Sequence, residues 1–171
     1  THVKGTVNLL EAVNCKRFIY ISTDAIFEGQ SGNYNEQSSP TPLNTYARTK
    51  LEGEAEAANH PAAIVARLNL YGIRDPAKNS LAEWAYNNFA ACKPVTGYEN
   101  MIFNPLHLIQ IARILTDLVN IEYRGIIHLG CDEHISKYSF LRQLALKLGH
   151  EDNLVNRGSY LPQNSDITRP L

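Results

Sequence analysis

Two apolar runs set the frame for this chain. Arg17-Phe-Ile-Tyr-Ile-Ser22 and Ala62–Leu70 are short, largely apolar and rich in β-branched or aromatic residues. Strands with one wet face alternate apolar and polar residues. Runs that do not alternate are covered on both faces, as parallel strands are. Between the two runs the period is helical: Ala47, Leu51, Ala55 and Ala58 share a face, Asn44 or Thr45 can cap, and Pro61 follows the end. Val3, Val7, Leu10 and Val13 predict an earlier helix over residues 2–14. Helix, strand, helix, strand in succession implies an α/β fold, a parallel sheet with helical crossovers.

The remainder continues in the same manner. Residues 28–44 are rich in Gly, Ser, Asn, Gln and Pro and carry no period, so they read as a long loop, a feature usually tied to function. After Gly72, Ser80-Leu-Ala-Glu83 is a capping box that opens a helix running to about Cys92, before Lys93-Pro94. Leu108, Ile111, Leu115 and Leu118 mark a helix after Pro105, and Ile126–Leu129 a short strand. Ser136 caps a helix with Leu141, Leu144, Ala145 and Leu148 on one face, ended by Gly149. Residues 150–171 read as irregular.

Composition narrows the partners. The 171 residues are 44% apolar with a formal net charge of -1, which gives no basic surface for nucleic acid or an anionic membrane. No apolar run approaches the ~20 residues of a membrane span. Cys15, Cys92 and Cys131 are too widely and irregularly spaced for a disulfide framework or a metal site, and the histidines show no ligand spacing. No metal is expected, and reduced thiols suit a cytoplasmic protein.

Ligands of open parallel sheets bind at the carboxyl ends of the strands. Those ends are Ser22-Thr23-Asp24 and Asn69-Leu70-Tyr71-Gly72. The hydroxyls of Ser22 and Thr23 can cap a strand end or polarise a carbonyl. Tyr46 and Lys50 lie four apart on one helix face. A free tyrosine titrates near ~10, and a neighbouring ammonium lowers it into the range of a working acid or base. Such a pair on its own is also common on helix surfaces.

Several segments are identified together. Ser22-Thr-Asp-Ala-Ile-Phe-Glu-Gly29, Tyr34-Asn-Glu36, Pro40-Thr-Pro42, Asn44-Thr-Tyr46, Lys50-Leu-Glu-Gly-Glu54 and Arg67-Leu-Asn-Leu-Tyr-Gly72 resemble the extended short-chain dehydrogenase/reductases, and among them the dTDP-4-dehydrorhamnose reductase branch. Ser80-Leu-Ala-Glu-Trp84, Phe103-Asn-Pro105, His128-Leu-Gly130, Ser136-Lys-Tyr138 and Arg169-Pro170 extend the likeness over nearly the whole chain.

The resemblance implies a Rossmann-like parallel sheet with helical crossovers and a small C-terminal α/β substrate-binding region. Residues 1–72 would be the C-terminal half of the NAD(P)-binding domain. Residues 73–171 would bind substrate, interleaved with the last Rossmann elements at about 103–130. It further implies reduction by NADPH or NADH of a 4-keto group on a nucleotide-linked deoxysugar. Thr23 would polarise the carbonyl, Tyr46 donate the proton, and Lys50 lower the Tyr46 pKa and hold the nicotinamide ribose. Ser22, Asn69 and Leu70 join Tyr46 and Lys50 on the cofactor side, and Asp24 and Arg169 fall to substrate. Arg74, Lys78 and Lys93 are weaker candidates for a diphosphate; Trp84, Tyr86 and Tyr98 for stacking, with a core place preferred for Trp84. A homodimer is compatible with the resemblance.

The departures are specific. The Gly-x-x-Gly-x-x-Gly loop that cradles the cofactor pyrophosphate on a helix N-terminus is not among these residues. The simplest reading is a fragment truncated at its N-terminus and inactive by itself. His2 stands where relatives usually carry Asn. Ala25 stands where nucleotide-sugar dehydratases carry a Glu, so simple reduction is preferred to dehydration. Two alternatives stay open: a non-catalytic regulatory subunit like that of methionine adenosyltransferase, which resembles the same branch, and a sugar-nucleotide epimerase.

Overall fold

The computed structural model describes residues 2–74 and 80–161. In chain order its elements are α1 (His2–Ala12), β1 (Phe18–Thr23), α2 (Thr45–Ala57), β2 (Ala63–Tyr71), α3 (Leu81–Ala90), β3 (Val95–Tyr98), β4 (Ile102–Phe103), β5 (Pro105–His107), α4 (Leu108–Asn120), β6 (Gly125–Leu129), β7 (Ile135–Ser136), α5 (Lys137–Lys147) and β8 (Val155–Gly158). The chain forms two compact units. One takes in the residues up to Asn69 together with Ile109–Gly130. The other takes in Leu70–Leu108 and the described residues that follow Gly130.

The first unit is the expected parallel sheet. β2 pairs in parallel with β1, from Phe18↔Ala63 to Thr23↔Leu68, and with β6, from Ile64↔Gly125 to Leu68↔Leu129. Thr23, Leu68 and Leu129 therefore finish level, and the chain turns off the strands on one rim. Phe18, Tyr20 and Ser22 form the buried face of β1, since successive strand side chains point to opposite faces. Phe18, Tyr20, Ala57 and Val65 form a core cluster. The packing of α2 is close: a Cβ on Gly53 would lie 2.2 Å from the Tyr20 hydroxyl oxygen. Asn44 supplies the α2 cap, its Oδ1 accepting from the Ala47 N–H at 2.9 Å. The 28–44 stretch contains no helix or strand.

In the second unit β3 runs parallel to β8, and β4 antiparallel to β7. The core gathers Ala85 and Phe89 of α3, Phe140, Leu141 and Ala145 of α5, and Val95, Phe103 and Val155 from the strands. Ser80 and Glu83 form the expected capping box. Gly149 follows α5 with φ +80, the left-handed conformation that favours glycine after a helix. Two expectations are corrected here. Residues 150–161 are not wholly irregular, because Val155–Gly158 pairs with β3. Trp84 is exposed rather than in the core, because α3 turns Ala82, Ala85 and Phe89 inward.

Candidate functional site

At the end of β1, Thr23 caps a short 3-10 turn, Asp24–Ile26, its Oγ1 accepting from the Ala25 N–H at 3.2 Å. The same hydroxyl donates to Asp24 Oδ1 at 3.2 Å. Asp24 Oδ2 accepts from Asn69 Nδ2 at 2.9 Å. Three residues named from sequence, Thr23, Asp24 and Asn69, are thus one hydrogen-bonded chain across the carboxyl ends of β1 and β2. Leu70 follows on the exposed surface.

Ser22 points the other way. It is 3% exposed, and its hydroxyl donates to Glu54 Oε1. Of the two adjacent hydroxyls, only that of Thr23 lies on the open side of the strand end.

Tyr46, Lys50 and Glu54 recur every four residues along one face of α2 and are progressively buried. Tyr46 is 53% exposed, Lys50 9% and Glu54 5%. The Lys50 ammonium donates to the Ile21 carbonyl and lies 4.2 Å from the centre of the Tyr20 ring. Burial lowers the Lys50 pKa, and the Glu54 carboxylate partly offsets that shift. The Tyr46 and His2 rings make a T-shaped contact, with centroids 5.8 Å apart at 77°. Burial lowers the His2 pKa, with a smaller contribution from the Lys50 ammonium.

Behind this face lies a polar cluster to which sequence reasoning assigned no role. Arg67, in the middle of β2, holds Glu54 with three hydrogen bonds of 2.7–3.2 Å. Its Nη1 lies 3.5 Å from His128 Nε2 on β6. Arginine can only donate, so that nitrogen accepts and the imidazole is neutral. The His128 pKa is lowered, mainly by burial. The His128 backbone N–H donates to Glu36 Oε1 at 2.8 Å, which ties the long loop to β6. Phe27 stacks on Tyr34 at 4.5 Å and meets the edge of His128, fastening the loop a second time. A signal for this cluster existed: a charge inside a strand buried on both faces needs a counter-charge, and Glu54 sits one turn beyond a buried lysine.

The remaining candidates divide. Arg169 and Lys78 lie outside the described residues. Arg74 is bound to Glu83, Nε to Oε1 at 2.8 Å and Nη2 to Oε2 at 3.0 Å, and these bonds hold Glu83 far below the usual carboxylate range. Lys93, Trp84 and Tyr86 are exposed. Among the described residues there is no cluster able to hold a metal ion, and no helix long and apolar enough to cross a membrane.

Comparison with known proteins follows the same lines. Residues 3–170 match the model of the RmlD substrate binding domain family. The methionine adenosyltransferase 2 subunit beta of Danio rerio is 29% identical over 97% of this chain and 56% of its own length. The "Probable low-salt glycan biosynthesis reductase" of Haloferax volcanii is 25% identical over 90% of this chain and 53% of its own. The chain therefore spans about half the length of these curated relatives. Among solved structures, dTDP-4-dehydrorhamnose reductase from Bacillus anthracis in complex with NADP superposes with a TM-score of 0.84 at 21% identity, over 99% of this chain and 60% of that one. At that identity the likeness is one of fold.

Proposed function

This chain belongs to the RmlD substrate binding domain family, and from that membership we propose that it forms the catalytic part of a reductase of nucleotide-linked 4-keto deoxysugars using NADPH or NADH. The observation that carries this reading is the α2 face: a buried ammonium at the end of β1, one turn from a half-exposed tyrosine. The first unit is assigned to the cofactor and the chemistry, and the second to the sugar nucleotide.

The residues present fit the nicotinamide ribose. Lys50 spends one N–H on the Ile21 carbonyl, and an ammonium has further donors for ribose hydroxyls. The cofactor, when bound, supplies hydride to the carbonyl carbon. Thr23, with its hydroxyl on the open rim, polarises the carbonyl oxygen. Tyr46 gives that oxygen its phenolic proton as charge develops on it. Lys50 stabilises the phenolate that remains. Asp24 and Asn69 fix the Thr23 rim and meet the sugar and the carboxamide side respectively. Leu70 and Ser22 line the cofactor side, Ser22 through its backbone because its hydroxyl belongs to Glu54. Arg169 is assigned to the substrate diphosphate. The protein is proposed to act in the cytoplasm, and homodimerisation remains part of the proposal.

A second reading has its own support in the 29% identity to a methionine adenosyltransferase subunit: a binding subunit that keeps the fold without turnover. The deciding experiment measures NADPH and NADH oxidation by the full-length natural protein with a panel of nucleotide-linked 4-keto sugars, with dinucleotide affinity from cofactor fluorescence. Turnover that falls by ~10²–10⁴-fold in Tyr46→Phe, at unchanged cofactor affinity, is expected. Turnover untouched by that change overturns the proton-donor role. A folded protein that turns over no keto sugar is the binding subunit instead.

A further inference from the structure

Glu36 sits at the tip of the 28–44 loop and accepts a hydrogen bond from β6. Resting on the reductase reading above, we infer that Glu36 is a positioning residue for the sugar substrate: closed on the His128 peptide N–H, it holds the loop as a preformed wall at the carboxyl ends of β1, β2 and β6. It acts through the loop and touches no reacting atom.

The loop joins two parts of the candidate site. It follows the turn that Thr23 caps and enters α2 at Asn44, two residues before Tyr46. Its base is closed by the Thr41 N–H, which donates to the Ile26 carbonyl at 2.9 Å, and by the Glu28 N–H, which donates to Thr41 Oγ1 at 3.2 Å. Its tip is a turn that sets its own backbone. Asn35 Oδ1 accepts from the Gln37 N–H, Ser38 Oγ from the Asn35 N–H, and the Asn35 carbonyl from the Ser38 N–H, each at 3.0 Å. Glu36 is thus presented on a self-bonded turn, and its Oε1 takes the His128 N–H at 2.8 Å. β2 lies between β1 and β6, so this bond carries the loop across three strands. His128 is level with Arg67 and one residue short of the end of β6. The His128 ring adds a second hold, a hydrogen bond with the Tyr34 backbone. A bond to a carboxylate is about twice as strong as one between neutral groups. The bond to His128 is also the foremost of the effects that hold the Glu36 carboxyl below its usual range, so the latch stays charged at neutral pH.

Ligands of open parallel sheets bind outside the carboxyl ends of the strands. The keto group must come to Thr23 and Tyr46, so the sugar ring lies beside the loop that joins them. A long segment without helix or strand, left free, would have to be ordered each time the sugar arrives, at a cost in affinity. Fastened by Glu36, it is ordered before binding. The reacting groups are held by other means: the Thr23 hydroxyl by the Ala25 N–H, Lys50 by the Ile21 carbonyl, and α2 by the close approach of Gly53 to Tyr20. Glu36 therefore governs how tightly the sugar binds and leaves the hydride and proton transfers alone.

The test compares wild type, Glu36→Ala and Glu36→Gln in the full-length natural protein. It reads kcat and KM for reduction of nucleotide-linked 4-keto sugars, NADPH affinity, and hydrogen exchange of the His128 amide and the 28–44 loop. In Glu36→Ala, exchange at both places should accelerate and slow again when the sugar nucleotide is added. KM for the sugar should rise by about 10-fold, with kcat within about twofold of wild type and NADPH affinity unchanged. Glu36→Gln keeps a neutral acceptor and should recover most of the loss in KM. Faster loop exchange at an unchanged KM overturns the substrate role. A fall in kcat that accompanies a lowered thermal midpoint shows a merely structural residue and overturns it too, and unchanged exchange overturns the latch itself. Each of these outcomes leaves the reductase reading standing. Absence of wild-type turnover with NADPH bound overturns that reading, and the substrate role of Glu36 with it.

Discussion

The Glu54 carboxylate and the Arg67 guanidinium form a forked ion pair under the candidate site, with Arg67 Nη2 2.7 Å from Glu54 Oε2 and both side chains buried. Ser22 donates to the same carboxylate. One buried acid thus joins α2, β1 and β2. A pair like this gains little over a well-packed apolar replacement, but loss of one partner strands the other charge.

Glu54→Leu or Arg67→Met alone should therefore cost about 3–5 kcal/mol of stability. The double variant Glu54→Leu with Arg67→Met should cost clearly less than the sum. Denaturant unfolding of the four members of the cycle measures the coupling. Additive losses would show that the pair is not coupled.

Gly53→Ala should destabilise by about 1–3 kcal/mol, because its Cβ would fall 2.2 Å from the Tyr20 hydroxyl oxygen and 2.8 Å from Cζ. Adding Tyr20→Phe removes the nearer atom and should recover part of the loss. Thermal midpoints of the two variants decide this, and equal midpoints would place the strain elsewhere.

Lys50→Met leaves the Ile21 carbonyl without its ammonium partner and should cost about 1–3 kcal/mol. Dinucleotide affinity of the full-length protein should fall as well as turnover. Tyr46→Phe should change stability by less than about 0.5 kcal/mol, because Tyr46 is largely exposed. Unfolding curves and cofactor titrations on the same samples separate the two residues.

Acid should weaken the fold through His128. Its folded pKa is depressed, so between that value and the ordinary 6.5 the unfolded chain binds a proton that the folded chain does not. Stability is then full above about pH 6.5 and declines as pH falls toward the folded value. His128→Gln keeps an acceptor for Arg67 and should flatten that slope. A slope unchanged in this variant would assign the acid response to other groups.

The frame of the fold was legible because covered parallel strands carry it in their composition. The expected runs Arg17–Ser22 and Ala62–Leu70 sit one residue from β1 and β2. β8 was not legible, because Val155-Asn-Arg-Gly158 has one apolar residue and owes its conformation to pairing with β3. Trp84 misled because size and apolarity suggest the core, while the turn of α3 gives that place to Phe89. At the site, Thr23 and Lys50 stood out through spacing and resemblance. The Glu54–Arg67–His128 cluster did not, because it joins residues on three elements whose side chains meet only after the sheet has formed.

The four-residue spacing of Tyr46, Lys50 and Glu54 turns α2 into a ruler. One end carries the half-exposed phenol, the middle reads the Ile21 carbonyl, and the far end reads the buried guanidinium of β2. One residue inserted between Lys50 and Glu54 would rotate everything beyond it by about 100°. The phenol would then leave its place beside the His2 ring whenever the ion pair is seated, and no repacking of side chains could restore both. Substitutions in this helix trade away single contacts, whereas a change of its length would trade folding against function. Lineages descended from this chain should vary the letters of α2 freely on its outer side while holding its count.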